Sequence, residues 1–180
     1  MKFTPLAIQG IMEITLDRLG DDRGFFARTF CMEEFAKAGL QTVWTQMNTS
    51  FTATAGTLRG MHFQRAPMTD AKLIRATQGD VYDVAVDLRA HSPTFGQTCA
   101  VTLSATSGNA VYIPQGCAHG FQTLTADVVL HYCHSENYAP DHEGGVNARD
   151  PALGIDWPLP VGEMSARDRA LPALTEVTPL

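Results

Sequence analysis

Val81-Tyr82-Asp83-Val84-Ala85-Val86-Asp87-Leu88 alternates without a break: Tyr82, Val84, Val86 and Leu88 fall on one face, and Val81, Asp83, Ala85 and Asp87 on the other. A period of two is the repeat of an extended chain whose side chains point to opposite faces of a sheet. Similar runs recur at 6–16, 24–30, 41–50, 71–77, 97–103, 110–113, 119–124 and 128–133. Turn signals separate them, among them Asp21-Asp22-Arg23-Gly24, Gln78-Gly79-Asp80, Ser107-Gly108-Asn109 and Pro114-Gln115-Gly116. Short strands spaced by about 8 to 12 residues predict an all-β antiparallel sandwich or barrel.

Helix is scarce. Residues 32–38 have the spacing of two helical turns and stop at Gly39, and 165–171 read as a second short helix. Beyond Cys133 the chain turns polar and proline-rich, so 134–180 is expected to wrap over the barrel as a tail and not to build a second core. A length of 180 residues fits one domain over 1–180.

The formal net charge is −6, and the thirteen lysines and arginines are scattered. That balance argues against nucleic acid or an anionic membrane as partner, while leaving room for a local cationic pocket. No run approaches the roughly eighteen apolar residues of a spanning helix, and no charged start precedes an apolar run. A cytoplasmic protein is the expectation. Cys31, Cys99, Cys117 and Cys133 show no C-x-x-C spacing and read as reduced, half-buried thiols.

Chemistry concentrates in Leu58-Arg59-Gly60-Met61-His62-Phe63-Gln64, in Lys72 after the following loop, and in Ala118-His119-Gly120-Phe121. A histidine in an apolar strand must be hydrogen-bonded or functional, because an unpaired buried imidazole costs roughly 1 to 3 kcal/mol. Neighbouring cations would hold His62 neutral, the state of a general base. Strict alternation puts Arg59 and His62 on opposite faces, and a bulge at Gly60 would bring them together. Lys72 reads either as a snorkelling lysine or as a cation for an oxyanion. Tyr132 reads as a core tyrosine with its hydroxyl at the rim. Ser165-x-x-Asp168 has the form of a capping box, which alone would account for Asp168. A metal site is disfavoured: Gln64 and Lys72 stand where ligands would be needed, and His131 and His134, three apart, face opposite ways.

Together these blocks resemble the sugar-nucleotide epimerase family typified by dTDP-4-dehydrorhamnose 3,5-epimerase. The resemblance rests on Asp22-Arg23-Gly24-Phe25-Phe26, Gln46-Met47-Asn48-Thr49-Ser50, Leu58 to Gln64, Lys72-Leu73-Ile74-Arg75, Gly79 to Arg89, Ser92-Pro93-Thr94-Phe95-Gly96, Ile113 to Phe121, Gly154-Ile155-Asp156-Trp157-Pro158 and Ser165-Ala166-Arg167-Asp168. It implies a cupin-type, double-stranded antiparallel jelly-roll barrel. It also implies a homodimer with an exchanged N-terminal strand, a nucleotide-sugar substrate, and no metal or organic cofactor.

By the same resemblance His62 is the base, Asp168 its orienting partner, Tyr132 the acid on the opposite face of the sugar, and Lys72 the enolate's cation. Arg59 and His119 are substrate or phosphate contacts, with Arg23, Phe26, Arg28, Gln46, Asn48 and Tyr138 completing the nucleotide-sugar site. The implied reaction is epimerisation at carbon 3, carbon 5 or both of a 4-keto-6-deoxyhexose, with dTDP the default carrier. The alternatives are a metal-dependent cupin enzyme, a non-catalytic barrel that binds a sugar nucleotide, and an epimerase for another nucleotide. Arg28 replaces a common acidic residue, Asp70 a common glutamine, and Met47-Asn48-Thr49 a common Asp-Asn-His run. These departures are expected to bear on substrate more than on chemistry.

Overall fold

The computed structural model describes residues 1–180. Its strands are β1 (Lys2–Pro5), β2 (Met12–Thr15), β3 (Arg18–Asp21), β4 (Gly24–Ala27), β5 (Gln46–Thr52), β6 (Leu58–Gln64) and β7 (Lys72–Gln78). They continue with β8 (Asp80–Asp87), β9 (Thr98–Ser104), β10 (Ala110–Ile113), β11 (Cys117–Thr123), β12 (Val128–His134) and β13 (Glu143–Gly145). The two helices are α1 (Met32–Lys37) and α2 (Ala166–Arg169). One sheet runs β1-β2-β10-β7-β12-β5, the other β13-β6-β11-β8-β9, and β3-β4 stand apart as a hairpin. Every pairing is antiparallel. The two large sheets close face to face as the jelly roll.

The alternation of β8 now has a physical cause. Val81 and Ala85 join Ile74, Val111, Ile113 and Leu130 in the core between the sheets. The other face, through Val84 and Val86, packs with Leu88 under Val146, Leu153, Met164 and Val177 of the tail. Tyr82 on that outer face meets Trp157 edge-on at 6.1 Å. Both faces of β8 are therefore buried, which is why its apolar residues sit on both. The outer face of the first sheet is covered in the same way, where Phe35 of α1 packs with Ile14, Leu73, Ala110 and Tyr112.

Three expectations change. Of the run 6–16 only Met12–Thr15 is strand, because the chain bends at Gly10 (φ +89°) and sends Ile8 and Ile11 into the core before β2 pairs back on β1. The run 41–50 starts its ladder only at Gln46. The tail also does more than wrap: β13 extends the second sheet, with Gly145 opposite His62. All four cysteines are free thiols; Cys117 is buried and the others half-buried. Burial pushes the Cys99 thiol up to about 11 and Cys117 up to about 12. No helix is long and apolar enough to cross a membrane.

Candidate active site

A cavity of about 910 Å³ opens between the two sheets. Arg59 and His62 both line it from β6, although they are three residues apart. The expected bulge explains this: His119 of β11 faces His62 and Phe121 faces Arg59, so the register slips there by one residue. Gly60 carries φ +117°, and a Cβ on it would stand 2.5 Å from the Gly120 Cα and 2.7 Å from the His119 carbonyl oxygen. Two glycine backbones touch where side chains would otherwise intervene.

The bulge also frees a donor. The Gly60 N–H bonds Asp168 Oδ2 at 3.2 Å, while Asp168 Oδ1 lies 2.8 Å from His62 Nε2. Asp168 itself is 4 % exposed. Its main-chain N–H donates to Ser165 Oγ at 2.9 Å, the half of a capping box the spacing predicts. The carboxylate does not complete the box and turns to the histidine instead. With Nε2–H donating to Asp168, Nδ1 carries the free lone pair of a neutral His62.

His62 is held below the ordinary histidine range, first by burial and further by the Arg167 guanidinium, against the opposing pull of Asp168 and Glu143. The lowering expected from neighbouring cations comes from desolvation and Arg167, not from Arg59 or Lys72. Arg167 is itself ion-paired with Glu143, which also accepts from the Tyr138 hydroxyl at 2.8 Å.

Tyr132 reaches the cavity from β12, on the opposite sheet, with its hydroxyl 3.2 Å from Ser50 Oγ. Burial pushes its phenol well above the ordinary tyrosine range. Lys72 is only 7 % exposed and so is no snorkelling residue. Its ammonium donates to the main-chain carbonyl of His62 at 3.3 Å and lies 3.7 Å from Asp70. His119 is buried and pairs through Nε2 with Asp83 Oδ2 at 2.8 Å. Gln46, Asn48 and Tyr138 line the same cavity, and the Tyr138 N–H donates to Gln46 Oε1 at 3.0 Å.

Arg23, Phe26 and Arg28 do not reach this cavity in their own chain. They stand on or just beyond the β3–β4 hairpin, where Arg23 pairs with Asp21, Arg28 pairs with Glu34 at 2.9 Å, and Phe26 is 73 % exposed. Conversely, Asp70 and His134, weighed in the sequence only as a family departure and as an unsuitable metal ligand, line the cavity with Glu143 and Arg167, and Asp83 stands behind His119. Asp83 carries a signal: a carboxylate flanked on its strand face by Val81 and Ala85 needs a buried partner. His134 carried another, since its cavity-lining position opposite the exposed His131 follows from their spacing. No group of three or more His, Cys, Asp or Glu side chains forms a metal-binding cluster.

An imidazole backed by a carboxylate, a phenol on the facing sheet and an ammonium in the same cavity wall can remove a proton next to a carbonyl, hold the enolate and return a proton from the other side.

Comparisons with known proteins place the chain in a family. The family model for dTDP-4-dehydrorhamnose 3,5-epimerase matches residues 5–176. A dTDP-4-dehydrorhamnose 3,5-epimerase of Sinorhizobium fredii is 39 % identical over 178 residues, covering 98 % of this chain and 91 % of the relative. The crystal structure of the Elizabethkingia anophelis enzyme of that name superposes with a TM-score of 0.94 at 35 % identity, covering 98 % of this chain and 97 % of the other. A dTDP-6-deoxy-D-glucose-3,5-epimerase of Legionella pneumophila, solved with dTDP-4-keto-L-rhamnose, gives 0.92 at 36 %, covering 98 % and 94 %. The chain is thus an isomerase-class enzyme of the cupin-like jelly-roll fold, and it belongs to the dTDP-4-dehydrorhamnose 3,5-epimerase family.

Proposed function

We propose that this enzyme epimerises carbon 3, carbon 5 or both of a dTDP-linked 4-keto-6-deoxyhexose, by default turning dTDP-4-dehydro-6-deoxy-D-glucose into dTDP-4-dehydro-L-rhamnose. The observation that carries the reading is the convergence of His62 and Tyr132 from facing sheets on one cavity, with the Lys72 ammonium beside the main chain of the base.

The 4-keto group acidifies the hydrogens on its neighbouring carbons. His62 Nδ1 takes such a proton, the electron pair moves onto the carbonyl oxygen, and Lys72 stabilises the resulting enolate. Asp168 holds the imidazolium that forms, as the carboxylate of a hydrolase triad does. Tyr132 returns a proton to the opposite face of the same carbon, inverting it, and the cycle closes when His62 gives its proton to solvent and the Tyr132 phenolate takes one back. Every group in this scheme belongs to the chain itself.

Arg59, His119, Gln46, Asn48 and Tyr138 hold the diphosphate and nucleoside in this reading. The hairpin residues Arg23, Phe26 and Arg28 serve the partner's cavity in a homodimer with an exchanged N-terminal strand. In support, Leu19, Phe25 and Phe26 leave that hairpin with an apolar surface that a second copy would cover. Residues 1–180 form one cytoplasmic domain whose tail, 134–180, brings Asp168 to the barrel.

Incubation with the dTDP-4-keto sugar in deuterated water tests the reading. Deuterium at carbon 3, carbon 5 or both, with an inverted product, is the expected result; no exchange at either carbon would overturn it.

A further inference from the structure

Asp70 is 6 % exposed and divides its two carboxylate oxygens between two neighbours in the cavity wall. Oδ2 lies 2.8 Å from His134 Nδ1, at hydrogen-bond distance, whereas Oδ1 stands 3.7 Å from the Lys72 ammonium, beyond a direct hydrogen bond. Lys72 finds its hydrogen bond elsewhere, on the His62 carbonyl. His134 lies directly across from Lys72 in the β12–β7 pairing and stacks its ring against Tyr132, with centroids 6.0 Å apart and planes at 17°. The carboxylate, the imidazole, the ammonium and the phenol thus form one contiguous unit.

A carboxylate this close to a buried ammonium can act in two opposite ways. A closed ion pair would neutralise the cation and withdraw it from a developing oxyanion, whereas a loose pair holds the side chain in place and leaves its charge usable. The geometry is that of the loose pair, with the other oxygen of Asp70 held by His134 and the ammonium bonded to the His62 carbonyl.

Building on the proposed epimerase chemistry, we propose that Asp70 and His134 are positioning residues for Lys72. His134 ties one oxygen of Asp70, so that Asp70 steers the Lys72 ammonium toward the substrate's carbonyl oxygen without capturing it. The departure from the family's common glutamine at position 70 therefore acts on the chemistry of the cavity, not on choice of nucleotide.

Steady-state kinetics with the dTDP-4-keto sugar, together with calorimetric binding of dTDP alone, test this on the full-length protein. Asp70→Asn removes the charge that steers Lys72 and is expected to lower kcat about tenfold or more, as misplacement of a reacting group does, with KM and dTDP affinity within about threefold. His134→Ala frees Asp70 to close on Lys72 and lowers kcat similarly. His134→Gln, whose amide can still donate to Asp70, restores most of the loss. Because His134 acts only through Asp70, His134→Ala has little further effect in the Asp70→Asn background.

Wild-type kcat in His134→Ala, additive losses in the double variant, or a change confined to KM and dTDP affinity would each overturn the proposal. If circular dichroism finds Asp70→Asn unfolded, the comparison of His134→Ala with His134→Gln decides alone, since that side chain is partly exposed. Wild-type protein that does not turn over the keto sugar would instead refute the epimerase reading itself.

Discussion

The Lys72 ammonium donates to the main-chain carbonyl of His62 at 3.3 Å, tying the cation on one sheet to the strand that carries the base on the other. The contact anchors the tip of the Lys72 side chain to the main chain that carries His62, the proposed base. Removing the cation should slow the chemistry more than the binding. Lys72→Met, similar in length and apolar, is expected to lose about 10²- to 10³-fold in kcat with little change in KM, the cost of removing one oxyanion donor. Steady-state kinetics check it, and a kcat near wild type would remove Lys72 from the mechanism.

Base and acid should separate experimentally. His62→Ala is expected to abolish both turnover and hydrogen exchange, a loss of at least about 10²- to 10⁴-fold for a general base. Tyr132→Phe leaves the base in place, so proton removal and return on one face continue while inversion stops. Proton NMR in deuterated water reads exchange and configuration together. Inversion at the wild-type rate by Tyr132→Phe would exclude the phenol as acid.

The pH profile follows from the burial of His62. Its value lies below the ordinary 6.5, so the neutral base persists as pH falls past 6.5 and is lost only on protonation at lower pH. The acidic limb of kcat/KM should accordingly have its midpoint below 6.5. Asp168 raises the His62 value, so Asp168→Asn should move that midpoint lower still while cutting kcat, because the imidazolium loses its carboxylate. A limb that stays in place in Asp168→Asn would mean that another group titrates.

The sandwich was legible in 81–88 because period-two alternation has one structural meaning, yet the pattern could not say which face of β8 lies inside. Apolar residues stand on both faces, and the face that carries Asp83 and Asp87 is the inner one because the tail covers Val84 and Val86 on the other. The bulge was legible in Gly60, a glycine between two residues whose functions need one face. Partnerships across long separations were not: His62 and Asp168 lie 106 residues apart, and His119 and Asp83 lie 36 apart. No local periodicity encodes such contacts; Asp168 is reached through family resemblance, and Asp83 is not reached at all. The β3–β4 hairpin illustrates the reverse. Its residues are legible as binding residues by resemblance, yet they occupy the surface of their own chain.

The β6 bulge gives a prediction about stability rather than rate. Gly60 combines φ +117°, which L side chains rarely adopt, with a Cβ position 2.5 Å from the Gly120 Cα, a backbone atom that cannot move aside as a side-chain tip can. Gly60→Ala must then either strain the backbone at a cost of about 1 to 3 kcal/mol or push β6 off β11. The second course would displace both the Gly60 N–H that bonds Asp168 and the His62 that shares that carboxylate. The variant is therefore expected to unfold at lower denaturant and, where still folded, to lose turnover. Gly24→Ala, at the start of β4, has nothing within 4 Å of its Cβ and serves as the comparison, since its positive φ of +134° costs strain alone. Equal shifts in the urea midpoint of the two variants would mean that strain, not the Gly60–Gly120 approach, governs β6.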